Sequence, residues 1–361
     1  IRQSIHSWPA DQPVATVGET ELAIPAGTRA ATTLATSSEP LTLWWIYDPT
    51  LYTLVTEVSL NGQVVDRQTT RFGNREWEIR GNQFYLNGVR QHLRNDLTHY
   101  NASGQKLDAI VADWKANGMN MFRRRFQFPW NGLSPKETLS WMDEVGMPVR
   151  MNAATFDGQV ASYRLVDGSR KDRSPRHVLF ERWHEQIMNG VNTWKNHPSV
   201  FIWELDNELV YINGRNFGLL DQVEPEFTET SNAVLAFDPT RSTVTGGARA
   251  LLDESLPTYG IHYFEAAERA YPDGAYTGVP SEEREGTGGK FPWPYDFEKK
   301  PTFFSETAFL PGRKPAQFAA FGGEITFLGK REAKPAAGLY ASWIAEGYRW
   351  RGYAANNVWF N

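Results

Sequence analysis

The first 80 residues alternate apolar and polar positions with the two-residue period of β-strands, and they show no helical periodicity. The alternation is clearest over residues 53–60. Directly after it, Asn61-Gly62 is a dipeptide typical of a tight hairpin turn, and a further strand is predicted from residues 63–66. Prolines interrupt the segment repeatedly, which is typical of short strands separated by turns. The pattern therefore predicts a small, partial β-sandwich over residues 1–80.

After the turn signals Gly81-Asn82 and Asn87-Gly88, the pattern changes to strand, loop and helix in turn. Apolar residues spaced by four make 178–195 the clearest helix, and two more are predicted at 106–117 and 136–145. Strands are predicted at 90–97, 119–126, 147–151, 200–205, 243–246, 260–264, 302–305 and 357–359. This alternation predicts the α/β class and a (β/α)8 TIM barrel over residues 81–361.

Two glutamates lie at the ends of two of these strands. Glu208 follows the apolar run at 200–205, and Glu306 ends the run at 301–306. A side chain at the carboxyl end of a barrel strand faces the mouth, where such scaffolds carry their chemistry. Because one βα unit takes roughly 30 residues, the two glutamates lie about three units apart and would face each other. They are predicted to be an acid and a nucleophile, and a pair of surface acids is the alternative.

Composition excludes some classes of protein. At 361 residues the chain exceeds one average domain, which favours two domains. A net charge of −5 argues against nucleic acid as a partner, and the lack of cysteine excludes disulfides and thiolate metal sites. No apolar stretch reaches the roughly 18 residues of a spanning helix, so no membrane insertion is expected. The aromatic share of 14% suits rings that stack on sugars, although core packing is the expected role of most.

The two ends of the chain and one long loop leave some points open. The chain begins with Ile1 and lacks a signal-peptide pattern, which suggests a mature or trimmed product. The residues do not fix the compartment, and a periplasmic or secreted location is favoured over the cytoplasm. The Gly- and Pro-rich stretch 267–300 is either a linker or a functional loop, in which Trp293 would wall a sugar subsite.

Several motifs, taken in order and spacing, resemble glycoside hydrolase family 2, a β-galactosidase-like family within the clan A retaining barrels. The acid/base motif of that family resembles His197-Pro198-Ser199-Val200 leading to Trp203 and Asn207-Glu208. Further matches are Asn120-Met121-Phe122-Arg123, Asp143-Glu144-Val145-Gly146, Asp238-Pro239-Thr240-Arg241 and Ser305-Glu306. Upstream, Leu43-Trp44-Trp45, Phe72-Gly73-Asn74-Arg75 and Phe84-Tyr85-Leu86-Asn87-Gly88 resemble its immunoglobulin-like domain and the junction with the barrel.

The resemblance implies a β-glycoside hydrolase that acts by double displacement, with Glu208 as general acid/base and Glu306 as nucleophile. The resemblance also implies Asn207 at the 2-hydroxyl of the sugar, Arg123 and Tyr263 at the nucleophile, and Trp359 as the floor of the subsite. Apart from the resemblance, His262, His99, Asp206 and Trp293 are candidates for further sugar contacts. For Arg123 the alternative is a pair with a structural acid, with Arg124 and Arg125 as rivals for its role, and for Trp359 it is a plug of the barrel. For the two histidines a core position is the alternative, and for Asp206 an ordinary unpaired acid. No metal or organic cofactor is required.

Residues around the expected sugar depart from the family pattern. Arg125-Phe126-Gln127-Phe128-Pro129 stands where galactoside-cleaving members carry Ser-His-Tyr-Pro. Asp206 and Asn95 each stand in place of a Gly of the family, and Asn152 stands in place of an acidic residue. The sugar therefore stays open, with a terminal β-galactoside expected from its frequency in the family. An endo-acting polysaccharide hydrolase and a non-catalytic carbohydrate-binding barrel are the alternatives. The eighth helix is missing, so further domains or chains are expected to complete the fold.

Overall fold

The computed structural model describes residues 1–35, 40–96, 102–125, 129–152, 176–207, 220–246, 256–262, 299–310 and 355–360. Its first part is an antiparallel sheet of four strands: β1 (Arg2–Ser7), β2 (Pro13–Glu19), β3 (Tyr52–Leu60) and β4 (Gln63–Phe72). Their order in the sheet is β2-β1-β3-β4. The two-residue turn Asn61-Gly62 joins β3 to β4, so the hairpin expected from the alternation is confirmed.

A three-stranded antiparallel sheet follows, built from β5 (Trp77–Arg80), β6 (Gln83–Leu86) and β7 (Val89–Gln91). The sequence pattern predicted one strand over 90–97, and this was wrong. The turn at Asn87-Gly88 folds the chain back so that Arg90 pairs with Tyr85, and a separate strand begins at Leu93. A stretch predicted as one strand can thus supply two strands when its first residues complete a hairpin.

Among the described residues, the second part contains eight parallel strands: β8 (Leu93–Asp96), β9 (Phe122–Arg125), β10 (Val149–Asn152), β11 (Val200–Glu204), β12 (Ser242–Val244), β13 (Tyr259–His262), β14 (Thr302–Leu310) and β15 (Ala355–Phe360). They form two four-stranded sheets, β12-β11-β10-β9 and β13-β14-β15-β8. The other seven predicted strands are present. Six keep their expected bounds within a few residues, whereas β14 continues to Leu310, so the expectation that Glu306 ends this strand was wrong.

The two parallel sheets share one apolar interior. The cluster contains residues of both sheets and of the β6 hairpin: Phe84, Leu93, Met121, Phe201, Ile202, Val244 and Phe303. Between β8 and β9, the backbone N–H of Asn120 donates to Arg94 O at 3.1 Å, and the side-chain Oδ1 of Asn120 accepts from the backbone N–H of Arg94 at 2.7 Å. Between β12 and β13, the hydroxyls of Ser242 and Thr258 lie 3.0 Å apart. Polar contacts therefore join the sheets at both edges.

Four helices lie among the described residues: α1 (Leu107–Ala116), α2 (Pro135–Val145), α3 (Arg176–Trp194) and α4 (Leu220–Phe237). The first three confirm the periodicity, and none of the four is long and apolar enough to cross a membrane. Helix α4 was not predicted from the sequence. Pro225 lies in its second turn, and proline usually ends a helix. It therefore masked the helical spacing of the buried residues Val223, Phe227 and Val234.

Aromatic residues fill the layer between helices and strands. Trp114 and Trp130 stack with ring centroids 6.1 Å apart, and Trp141 stacks on Trp130 at 5.3 Å. Trp183 is buried against Phe227, and its indole N–H donates to Leu205 O at 3.1 Å. Most of the described aromatic surplus therefore serves the core, as expected of rings that bury a large apolar area.

Candidate active site

The strand registers bring several polar positions to the carboxyl ends of the parallel strands. In one sheet, Asn152 of β10 lies beside Arg125 of β9 and Glu204 of β11. In the other sheet, Glu306 of β14 lies beside His262 of β13. The register thus places Glu204 at the carboxyl end of β11, and Glu306 inside β14 at the level where β13 ends. TIM-barrel folds carry their active sites at the carboxyl ends of the strands.

A buried ion pair stands at the ends of β9 and β11. The guanidinium of Arg123 donates from Nε to Glu204 Oε2 at 3.1 Å and from Nη2 to Glu204 Oε1 at 2.5 Å. The same Nη2 donates to Asn207 Oδ1 at 2.7 Å. The exposed fractions are 2% for Arg123, 0% for Glu204 and 5% for Asn207. A charge this deeply buried needs a partner, and the two-point contact supplies one.

A second cation completes the cluster. Arg150 of β10 is fully buried, and its Nε lies 3.0 Å from Glu204 Oε2. Its guanidinium carbon lies 4.5 Å from the centroid of the Phe303 ring on β14, a cation–π contact that spans the interior from one sheet to the other. Two arginines thus share the carboxylate of Glu204.

The segment after β11 is held against the end of β12 by a close approach. The Gly246 N–H donates to Asp206 Oδ1 at 2.7 Å, and Asp206 is fully buried. A Cβ at Gly246 would overlap Glu204 Oε1 and Asp206 O, so only glycine fits here. Asp206 therefore contributes to the position of Asn207, and its predicted contact with a sugar stays a prediction.

The structure brings three of the predicted site residues together: Arg123, Asp206 and Asn207. Glu306, His262 and Trp359 lie on β14, β13 and β15, but their side chains are outside the described part. Glu208, His99, Tyr263 and Trp293 lie outside the described residues altogether. The separation of the two predicted catalytic carboxyl groups thus stays a prediction, as does a contact between Arg123 and Glu306.

The sequence interpretation did not identify two members of the buried cluster, Glu204 and Arg150. A usable signal was present, because Glu204 stands between Trp203 and Leu205, and Arg150 between Val149 and Met151. A charged residue inside an otherwise apolar, buried strand must find a counter-charge across the fold. Among the described residues, no three His, Asp or Glu side chains gather as metal ligands.

A second buried network lies at the opposite end of the strands. Arg241 donates to the carbonyls of Lys195, His197 and Val200, and its Nη1 donates to Asp238 Oδ2 at 2.8 Å. Burial holds the pKa values of Arg241 and of the nearby Arg75 below the usual range. This network fixes the loop that leads into β11 and so supports the strand that carries Glu204.

Two family models match this arrangement of a β-sheet part followed by a parallel-strand part. Glycosyl hydrolases family 2 matches residues 7–75, and the Glycosyl hydrolases family 2, TIM barrel domain, matches residues 72–256. The second match covers just over half of the chain. The fold is thus of the TIM-barrel type preceded by a β domain. The chain belongs to glycosyl hydrolase family 2.

Curated relatives carry two different activities in their names. A β-glucuronidase of Formosa agariphila is 24% identical over 258 residues, which cover 70% of this chain and 24% of the relative. A β-galactosidase of Bacteroides ovatus is 30% identical over 177 residues, which cover 46% of this chain and 19% of the relative. The chain therefore spans about a quarter or less of the length of these relatives.

Solved structures of the same fold cover nearly the whole chain. A Ruminococcus gnavus β-glucuronidase in complex with D-glucaro 1,5-lactone superposes with a TM-score of 0.66 at 14% identity, over 99% of this chain and 56% of that one. A Bifidobacterium dentium β-glucuronidase complexed with coumarin-3-O-glucuronide gives 0.64 at 18% identity, over 99% and 53%. At this level of identity the likeness establishes the fold alone.

Proposed function

We propose that this chain forms the catalytic centre of a retaining β-glycoside hydrolase, with Glu208 as general acid/base and Glu306 as nucleophile. The proposal includes a closed (β/α)8 barrel over residues 81–361 and a partial immunoglobulin-like sandwich over residues 1–80. The observation that carries it is the buried Arg123–Glu204–Asn207 constellation at the strand ends. Glu208 directly follows Asn207 in the sequence, and Glu306 lies on β14 beside His262, the last residue of β13.

The reaction needs two carboxyl groups about 5–5.5 Å apart, one protonated and one ionised. In the first step, Glu306 attacks the anomeric carbon while Glu208 gives its proton to the leaving oxygen. In the second, Glu208 takes a proton from water, which attacks the same carbon and releases the sugar. In this proposal Glu306 lies close to Arg123, whose positive charge would favour the ionised form of the nucleophile.

Two sugars are candidates for the substrate. The named relatives include β-glucuronidases and a β-galactosidase, so a β-glucuronide is as well supported as the β-galactoside expected from the sequence. Aryl β-glycosides of galactose, glucuronic acid, mannose and glucose, compared by kcat/KM on the intact protein, would identify the preferred ring. A glucuronide preference would require a cationic or hydrogen-bonding group at the sugar carboxylate.

The catalytic assignment is tested by Glu306→Gln. We expect turnover of the preferred aryl glycoside to fall by about 10³-fold or more, because an amide does not form the glycosyl-enzyme. A 2-deoxy-2-fluoro glycosyl fluoride should label the wild type at Glu306, which peptide mass spectrometry detects, and should leave the variant unlabelled.

Glu208→Gln is the matched control. Fluoride leaves without protonation, so this variant should still be labelled at residue 306, while its turnover of a phenyl glycoside falls. Label on a residue other than Glu306, or full turnover by Glu306→Gln, would refute the assignment.

A further inference from the structure

We infer that Glu204 is a positioning residue that acts through Arg123 to orient the amide of Asn207 toward the 2-hydroxyl of the sugar. The inference rests on the proposed function and assigns to Glu204 a part in the transition state without contact to the substrate. It is carried by the contacts of four buried side chains: Arg123 on β9, Arg150 on β10, Glu204 at the end of β11 and Asn207 just after it.

Glu204 fixes the orientation of Arg123. Its Nε and Nη2 both donate to the carboxylate of Glu204, at 3.1 and 2.5 Å. Two parallel hydrogen bonds between planar groups define the plane and rotation of the guanidinium, which a single point charge would not do. Arg123 therefore presents Nη2 in one direction only.

Arg123 in turn orients the side-chain amide of Asn207. Nη2 of Arg123 donates to Asn207 Oδ1 at 2.7 Å. A guanidinium has donors only, so the amide atom that faces it must be the oxygen. The amide group then presents its Nδ2 hydrogens on the other side as donors for a sugar hydroxyl. If Arg123 turned away, the amide could rotate, and the donor would lose its fixed direction.

The balance of buried charges also holds Arg123 in place. Arg150 lies with its Nε 3.0 Å from Glu204 Oε2, so the carboxylate stands between two buried cations. Without this negative charge the two guanidinium groups would repel each other in a low-dielectric interior. Glu204 cannot be replaced by a neutral group without moving Arg123, and the close approach of Gly246 limits where the carboxylate can go.

The test compares Glu204→Gln with wild type on two substrates, the preferred aryl β-glycoside and its 2-deoxy analogue. We expect kcat/KM and kcat for the 2-hydroxy substrate to fall together by about 10–100-fold, because the affected hydrogen bond strengthens in the transition state. The 2-deoxy substrate lacks the hydroxyl that Asn207 would bind, so its rate should change less than about 3-fold.

Two further variants make the comparison decisive. Glu144→Gln breaks another arginine–carboxylate contact, the 2.5 Å bond from Arg71, and should leave the rates on both substrates unchanged. If Glu204→Gln does not fold, the double variant Glu204→Gln/Arg150→Met removes one acid and one base together, and should show the same selective loss.

Equal losses on the two substrates, or no loss on either, would overturn the positioning role while leaving the hydrolase assignment intact. A wild type that cleaves none of the aryl glycosides would refute the proposed function, and the inference would fall with it.

Discussion

Asp238 shows how a single buried carboxylate can hold one end of the domain together. Its Oδ2 accepts from Trp203 Nε1 at 2.9 Å and from Arg241 Nη1 at 2.8 Å, and its Oδ1 accepts from the hydroxyl of Thr240 at 2.6 Å. Burial alone would raise the pKa of Asp238, but the charge of Arg241 and these hydrogen bonds outweigh burial and hold the pKa below its usual value.

Replacing Asp238 by Asn should lower the free energy of unfolding at pH 7 by about 3–5 kcal/mol, because it leaves the buried charge of Arg241 without its partner. The pH dependence should change as well. Since the folded pKa lies below the value of about 3.9 for an exposed Asp, the unfolded chain takes up the proton first as the pH falls. The stabilisation is therefore fully present above about pH 5 and is lost as the pH falls through the folded pKa.

Urea unfolding of wild type and Asp238→Asn at several values between pH 7 and pH 3 would measure both effects. The variant should show the smaller loss of stability on the acid side. Glu57→Gln, which removes an exposed pair with Arg67 at 3.7 Å, should change stability by less than about 0.5 kcal/mol. Equal acid sensitivity of wild type and Asp238→Asn would contradict the role given to this carboxylate.

At the scale of helices and strands, periodicity predicted most of the second part of the chain. Residues 178–195 were predicted helical from apolar spacing, and α3 spans Arg176–Trp194. Local signals failed where distant partners decide the outcome. The run at 90–97 divides because β7 pairs with β6, and the buried strand charges Arg150 and Glu204 meet only after β10 and β11 are side by side. The apolar neighbours of Arg150 and Glu204 mark each charge as buried, but no local sequence signal identifies its partner.

The end of α2 makes a testable element-scale contact. Gly146 ends the helix with φ of 74°, and a Cβ there would lie 2.5 Å from Trp45 O and 2.6 Å from Tyr47 N. Gly146→Ala should therefore lower the free energy of unfolding by about 2–4 kcal/mol, the sum of left-handed strain and displaced backbone. Thermal or urea unfolding would measure the change.

Gly104→Ala is the matched control for this substitution. Gly104 has φ of 74°, and nothing lies within 4 Å of the position of its Cβ. It should cost only the left-handed strain, about 1 kcal/mol. The difference between the two variants would isolate the contact of α2 with the segment around Trp45, and equal losses would show that this contact contributes nothing.

At the scale of the whole molecule, the β-sheet part contacts the parallel-strand part at the end remote from the candidate site. Arg75 donates to the carbonyls of Pro198 and Val200, at the start of β11, and the indole of Trp44 donates to Asp143 O at 2.9 Å. Glu204 and Asn207 lie at the other end of the same strand. In TIM-barrel folds the amino ends of the strands serve stability, and the carboxyl ends carry the chemistry.

Arg71 of β4 tests this separation of roles. Its guanidinium donates to Glu144 Oε1 at 2.5 Å, to Ser140 O at 2.8 Å and to Asp143 Oδ2 at 3.2 Å, and it lies 4.9 Å from the Trp8 ring centroid. Arg71→Met keeps much of the apolar stem but removes these donors, which should lower the free energy of unfolding by about 2 kcal/mol. Well below the melting temperature, kcat/KM for the preferred aryl glycoside should stay within about 2-fold of wild type.

Arg67→Met provides the comparison, because Arg67 lies on the same strand and its one ion pair with a described residue is the solvent-accessible contact with Glu57. Its stability should change by less than about 0.5 kcal/mol. If Arg71→Met lowered kcat while the protein remained fully folded by circular dichroism, the β-sheet part would have to influence the strand ends through β10 and β11. Unchanged kcat with reduced stability would instead show that the contacts of Arg71 stabilise the fold without affecting catalysis.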